Sequence, residues 1–274
     1  MEYFLQNKLD SNAPILLIDE NTYKQLAIAH QTMLFTYRIT EAYIICIENY
    51  NQFELKILEE AVKSLSYNTY NHSSSLIKRA SLQAPLIGYL SGARGFIDSS
   101  HHLLKKISKR EFYESYSNLS HWIYDNDIYY AFAEALRNYT QHTGLPLHKV
   151  VYNFRAPPPP PHNTGHSSNE YSMDLWIDKQ ALMESGSFKK KALNEMPSNI
   201  NLTLAIRHHM SGIGTLHNYI VSSFMETVKE CTKLHEEAHH QYSSQTHAEP
   251  IGLSVYHKNS DGITTMGFSI AAHL

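Results

Sequence analysis

The sequence predicts a mainly α-helical α+β protein, a helical bundle with a small antiparallel β-sheet drawn from its C-terminal half. Three observations carry this. Apolar residues recur at steps of three and four over most of the first 145 positions, the period of an amphipathic helix. After Pro146 the pattern changes to β-branched and aromatic runs. A long helical period then returns over about 199–241, ahead of a turn signal at Asn259-Ser-Asp-Gly262.

The elements follow in order. Leu26, Ala29, Met33, Tyr37, Thr40, Ile44 and Ile47 share one stripe of a first helix, and Leu55, Leu58, Val62 and Leu65 one stripe of a second, with a break expected near Asn49–Asn51. Ser73–Ser75 are candidate caps for a third helix carrying Leu82, Leu86, Leu90, Ala93, Ile97, Leu104 and Ile107. It should bend or be interrupted at Pro85, which lacks a backbone donor. Ser108-Lys-Arg-Glu111 has capping-box spacing and opens a fourth helix with Phe112, Tyr116, Leu119 and Ile123 on one face. Asp125-Asn-Asp127 ends it and caps a fifth, whose stripe is Ile128, Phe132, Ala135, Leu136 and Tyr139 and whose stop is Gly144 with Pro146.

Beyond that stop, 150–154 reads as a strand, Ala156–Pro161 and the polar segment to Glu170 as an exposed, partly polyproline loop, and Tyr171–Ile177 as a second strand. Asp178 can cap a short helix, the long helix has a soft point at Gly212 and Gly214, and 251–257 pairs with 263–270 as a hairpin. The expected organisation is a helical bundle over 1–148, with the strands, Pro-rich loop, long helix and hairpin of 149–274 packed on it, either as two domains that share helices or as one composite domain. One sheet would draw on both strand regions.

Composition narrows the function. Of 274 residues 42% are hydrophobic, enough for a sizeable core, and the formal charge of -3 leaves no basic arm to coat nucleic acid. The longest apolar runs, Ile15–Ile18 and Ala42–Ile47, are far too short to span a bilayer, and Met1-Glu2-Tyr3 does not begin a signal peptide. A soluble cytoplasmic protein is expected. Cys46 and Cys231 are isolated and read as buried free thiols. The 18 histidines are the unusual component.

Arg137-Asn138-Tyr-Thr-Gln-His142 closes the fifth helix and is the constellation most suited to chemistry. A fixed cation can neutralise charge on phosphoryl oxygens, and an imidazole can take the proton of a ribose 2′-hydroxyl or give one to the leaving oxygen. Asn138 can hydrogen-bond phosphate or orient the imidazole. On an ideal helix, however, Arg137 and His142 do not share a face.

Arg137-Asn138-x-x-x-His142 late in a helical bundle resembles the signature of the HEPN superfamily. The resemblance covers the motif and residues from about 22 to 150. It implies a metal-independent endoribonuclease of a bacterial toxin or anti-phage defence system. It also implies a homodimer with two facing motifs, Arg137 and His142 as the catalytic pair, and Asn138 as the polar residue beside the arginine. The expected products are 2′,3′-cyclic phosphate and 5′-hydroxyl ends. RNA is the implied partner, together with a possible regulatory protein, and no cofactor, metal or membrane is called for. The alternative is a non-catalytic HEPN-like interaction or nucleotide- or RNA-binding module.

Other patterns carry less. His235-Glu-Glu-Ala-His239 matches HExxH, but no suitable third ligand follows it, so a catalytic zinc is not expected. The pairs His101-His102, His208-His209 and His239-His240 should each turn one member to solvent. Ser91-Gly-Ala-Arg-Gly95 lacks a phosphate-loop lysine and reads as a helix-packing or bend element.

Overall fold

The computed structural model describes residues 1–10, 12–66, 72–155 and 170–270. In chain order the elements are β1 (Glu2–Asn7), β2 (Leu16–Ile18), α1 (Glu20–Ser66), α2 (His72–Ile107), α3 (Arg110–Asn126), α4 (Ile128–His142), β3 (Lys149–Arg155), β4 (Glu170–Asp178), α5 (Lys179–Glu184), α6 (Lys190–Asn194), β5 (Asn199–Asn201), α7 (Leu202–Thr246), β6 (Leu253–Lys258) and β7 (Thr264–Ser269). The mainly helical class with antiparallel strands holds. The chain gathers into two compact units, 1–39 with 219–274, and 40–218, so a boundary at 148 falls inside the second.

The first unit is built on a four-stranded antiparallel sheet, β2-β1-β6-β7. Leu5 lies opposite Leu16 on one side and Val255 on the other. These three join Leu26 of α1, Ala238 and Tyr242 of α7, Leu253 and Ile270 in one core. The Tyr242 hydroxyl donates to Pro14 O at 2.8 Å, so the ring is buried with its polar tip paired. The β6–β7 hairpin turns at Gly262, whose φ of 80° favours glycine.

The second unit holds the rest of α1, then α2 to α6, the sheet β3-β4-β5 and the first turns of α7. Its core includes Phe53, Leu82, Leu86, Leu90, Phe96, Leu104, Phe132, Leu136, Ile206 and Ile213, all buried. Gly92 lets α1 and α2 approach: an added Cβ would stand 3.4 Å from Cys46 Cα and 3.3 Å from Asn49 Nδ2. Helix packing is thus the role of Gly92 within Ser91–Gly95.

Several expectations are corrected. The strands do not form one sheet: β3 and β4 form a sheet with β5, and the hairpin pairs through β6 with β1, which in turn pairs with β2, two N-terminal strands that periodicity did not reveal. α1 does not break at Asn49–Asn51: the Asn49 amide donates back to Ile45 O at 2.8 Å within a helix that continues, and the side chain faces α2. Pro85 lies within α2 without ending it, and α7 runs through Gly212 and Gly214. Ser108 does not cap α3, since its hydroxyl donates back to Leu104 O and Lys109 holds the cap position. The side chains of Ser73–Ser75 and the Pro-rich segment 156–169 lie outside the described residues.

Candidate functional site

α4 is fixed at both ends. Its N-cap Asp127 accepts from Tyr129 N at 2.9 Å and Tyr130 N at 3.1 Å, as the sequence implied. Tyr130, Phe132, Ala133, Ala135, Leu136 and Tyr139 are buried. At the other end Thr143 N and Gly144 N both donate to Tyr139 O, and a Cβ at Gly144 would collide with the Tyr139 hydroxyl. Leu147 anchors the chain that follows to α2: its N–H donates to Gln83 Oε1 at 3.3 Å and its carbonyl accepts from Arg79 Nη2 at 3.0 Å.

This frame leaves Asn138 and His142 exposed and Arg137 half-buried. At 100° per residue the Cα atoms of Arg137 and His142 are about 140° apart, whereas Asn138 and His142 are one turn apart and about 40° round. Arg137 Nη1 donates to Asn138 Oδ1 at 2.9 Å, bringing the guanidinium toward the flank that carries His142. The structure thus joins Arg137 to Asn138; among the described residues no hydrogen bond ties His142 to either. The Arg137 Nε is buried without a hydrogen-bond partner.

Basic side chains lie on α2 and β3. Lys78 lies 5.9 Å above the Tyr152 ring, Arg79 holds Leu147, and Lys149 begins β3. His148 Nδ1 accepts from Asp178 N at 3.3 Å, and burial pushes its pKa down, favouring the neutral ring.

A second polar constellation, not foreseen from the sequence, lies within the same unit. Tyr89 Oη is 2.9 Å from His209 Nδ1, His209 Nε2 is 3.0 Å from Glu134 Oε1, and the other Glu134 oxygen meets Arg94 at 3.2 Å. Arg94 also pairs with Asp98 at 2.7 Å, so the chain runs from a fully buried phenol to an exposed carboxylate. Burial alone would push the Glu134 carboxyl up, but His209 and Arg94 outweigh it and hold the pKa below its usual value. Burial drives the Tyr89 phenol well above its ordinary range. These residues are 75 and 120 positions from His209, which is why adjacency in the sequence suggested only a histidine pair. One member of that pair, His208, is half-buried and meets Asp127 at 2.9 Å.

In the first unit, the HExxH residues separate. His235 is buried, His239 half-buried, and Glu236 and Glu237 face solvent. Both ring nitrogens of His235 lack a hydrogen-bond partner, and burial, with His30 and His239 nearby, pushes its pKa down to about 4. Among the described residues no three His, Cys, Asp or Glu side chains converge to hold a metal ion. Both thiols are buried; burial pushes Cys46 up to about 12 and raises Cys231.

Comparison with known proteins finds no matching family model, no matching curated protein and no matching solved structure. Among the described residues no helix is long and apolar enough to cross a membrane.

Proposed function

We propose that this chain is a metal-independent endoribonuclease that works through the exposed end of α4, in the toxin or defence setting that the HEPN resemblance suggests. The observation that supports this reading is the hydrogen bond from Arg137 Nη1 to Asn138 Oδ1, which carries the guanidinium toward the flank of His142. His142 takes the 2′-hydroxyl proton or protonates the 5′-oxygen that leaves, and Arg137 neutralises the phosphorane-like charge between them. The attacking 2′-oxygen forms a bond to phosphorus as the bond to the 5′-oxygen breaks, so no metal or water enters the first step. A second chain facing the first would supply the other half of the acid–base pair.

The separation of the Arg137 and His142 Cα atoms around the helix favours one other reading, a non-catalytic RNA-binding or interaction module. Incubation of the purified protein with RNA in excess chelator decides between them. Wild type is expected to leave 2′,3′-cyclic phosphate ends, and His142→Ala and Arg137→Ala to lose roughly 100-fold or more in rate. Cleavage that survives both substitutions removes this site. Cleavage abolished by chelator moves the chemistry to a metal, and binding without cleavage supports the module.

A further inference from the structure

α6 is held against α4 by Phe188, whose ring lies 5.5 Å from Phe132 and 5.7 Å from Tyr139. The three residues after Phe188 are lysines. Lys189 Nζ accepts no role inside the core: it donates to the Tyr124 hydroxyl at 2.7 Å and sits 4.9 Å from the centre of that ring. Lys190 is exposed, and Lys191 lies 3.8 Å from Asp125 with its side chain 80% exposed. A shallow cleft opens here, lined by Tyr124, Asp125, Ile128, Ala131, Lys191 and Glu195. One turn before Asp125 on α3, Trp122 is 63% exposed, an unusual position for an indole. Side chains three apart on a helix are neighbours, with Cβ atoms about 5–6 Å apart, so Trp122 lies beside Asp125 on the surface of α3, just outside the lining of the cleft.

The geometry points to this α4–α6 cleft as a binding subsite for single-stranded RNA, with Trp122 and Tyr124 taking bases and Lys189, Lys190 and Lys191 taking phosphates. The inference rests on the ribonuclease reading for its ligand class. Aromatic faces stack on any base, and lysines neutralise the backbone between them. Asp125 and Glu195, set among the lysines, can accept from the amino groups of a base edge. Ile128 and Ala131 lie on the same flank of α4 as Asn138 and His142, by the 100° step of the helix. From Ala131 to His142 the rise is about 16 Å, the length of roughly five stacked nucleotides at ~3.4 Å each, fewer if the strand is extended. A strand bound at the lysines therefore leads along α4 to the motif within one chain.

The test uses the whole chain carrying Trp176→Phe, so that Trp122 is the remaining indole, titrated with an octanucleotide RNA methylated at every 2′-oxygen, which lacks the attacking hydroxyl. Saturable quenching of Trp122 emission is expected. Replacement of Lys189, Lys190 and Lys191 by Glu should weaken Kd at least tenfold, and their replacement by Ala should lower the salt slope by about 2, at ~0.7 per neutralised phosphate on a single strand. Trp122→Leu, which has no indole left to quench and is read instead by the fluorescence anisotropy of a dye-labelled form of the same oligonucleotide, should weaken Kd about tenfold. Circular dichroism checks that each variant is folded. Unquenched Trp122, a Kd unchanged in both lysine variants, or equal competition by an octaglutamate peptide, which would mark an acidic protein as the occupant, overturns the subsite. Cleavage separates this from the catalytic reading. If wild type cleaves RNA and the lysine variants bind and cleave as it does, the subsite falls and the catalytic reading stands. If the lysines are needed for binding and no cleavage occurs, the reverse holds.

Discussion

α7 carries a buried histidine in each unit, and the two are kept in opposite ways. His209 in the second unit has an acceptor, Glu134, on Nε2 and a phenol, Tyr89, on Nδ1. A hydroxyl can donate to a bare nitrogen or accept from an N–H, so both ring nitrogens of His209 have a partner. His235 in the first unit has neither kind of partner, and its neighbours His30 and His239 are themselves imidazoles. Burial therefore does not by itself fix what a histidine costs. Its neighbours decide whether it is tied into a hydrogen-bonded chain or left without a partner.

The largest expected effect comes from breaking the satisfied case. Glu134→Ala leaves His209 and Arg94 facing an emptied site and should destabilise the second unit by about 3–5 kcal/mol in urea unfolding, whereas Glu134→Gln, which keeps an acceptor, should cost roughly half. A loss as small as that of a surface substitution would show that the buried chain is not a brace.

Acid comes next. The folded pKa of His235, about 4, lies below its unfolded value of 6.5, so the folded state resists a proton that the unfolded state accepts. Above 6.5 both are neutral and stability is intact; as pH falls from 6.5 toward 4 the first unit should lose about 3 kcal/mol. Glu134 works in a lower window, since its pKa is held below 4.5: its contribution is present above that value and is lost as pH falls through the folded one. Hydrogen exchange followed by mass spectrometry should accordingly see 219–246 lose protection before 128–142. The reverse order would break the comparison.

Two smaller effects sharpen it. His235→Leu removes two unpaired nitrogens at similar volume and should stabilise the protein by about 1–2 kcal/mol at pH 7, while flattening the acid slope between 6.5 and 4. Asp127→Ala removes the α4 cap and the partner of His208, with an expected cost of about 1 kcal/mol in thermal unfolding.

What could be read from the sequence was local. The Asp127 and Asp178 caps, the 253–269 hairpin and the stop at Gly144 each depend on a few adjacent residues, and all are present. Asn49 and Ser108 misled because their side chains found backbone carbonyls four residues earlier, an outcome decided by how α1 and α2 pack and end. The strand at 2–7 pairs with β6, some 250 residues away, and the strand at 16–18 is only three residues long and pairs with the first. At the candidate site the residues Arg137, Asn138 and His142 were legible as a motif, and their separation around the helix as an objection. The reach of the guanidinium to Asn138 was not, because a rotamer is not written in spacing. Tyr89, Arg94, Glu134 and His209 come from three helices, and nothing in their sequence neighbourhoods links them.

The placement of the two cysteines gives this molecule a pair of internal clocks. Cys46 belongs to the unit of 40–218 and Cys231 to the unit that includes 219–274, and both sulfurs are shielded and held as unreactive thiols. A disulfide reagent can reach either one only when the unit around it opens. Mapping which sulfur is modified first, and at what rate, therefore times the breathing of each half separately, without a label or a substitution.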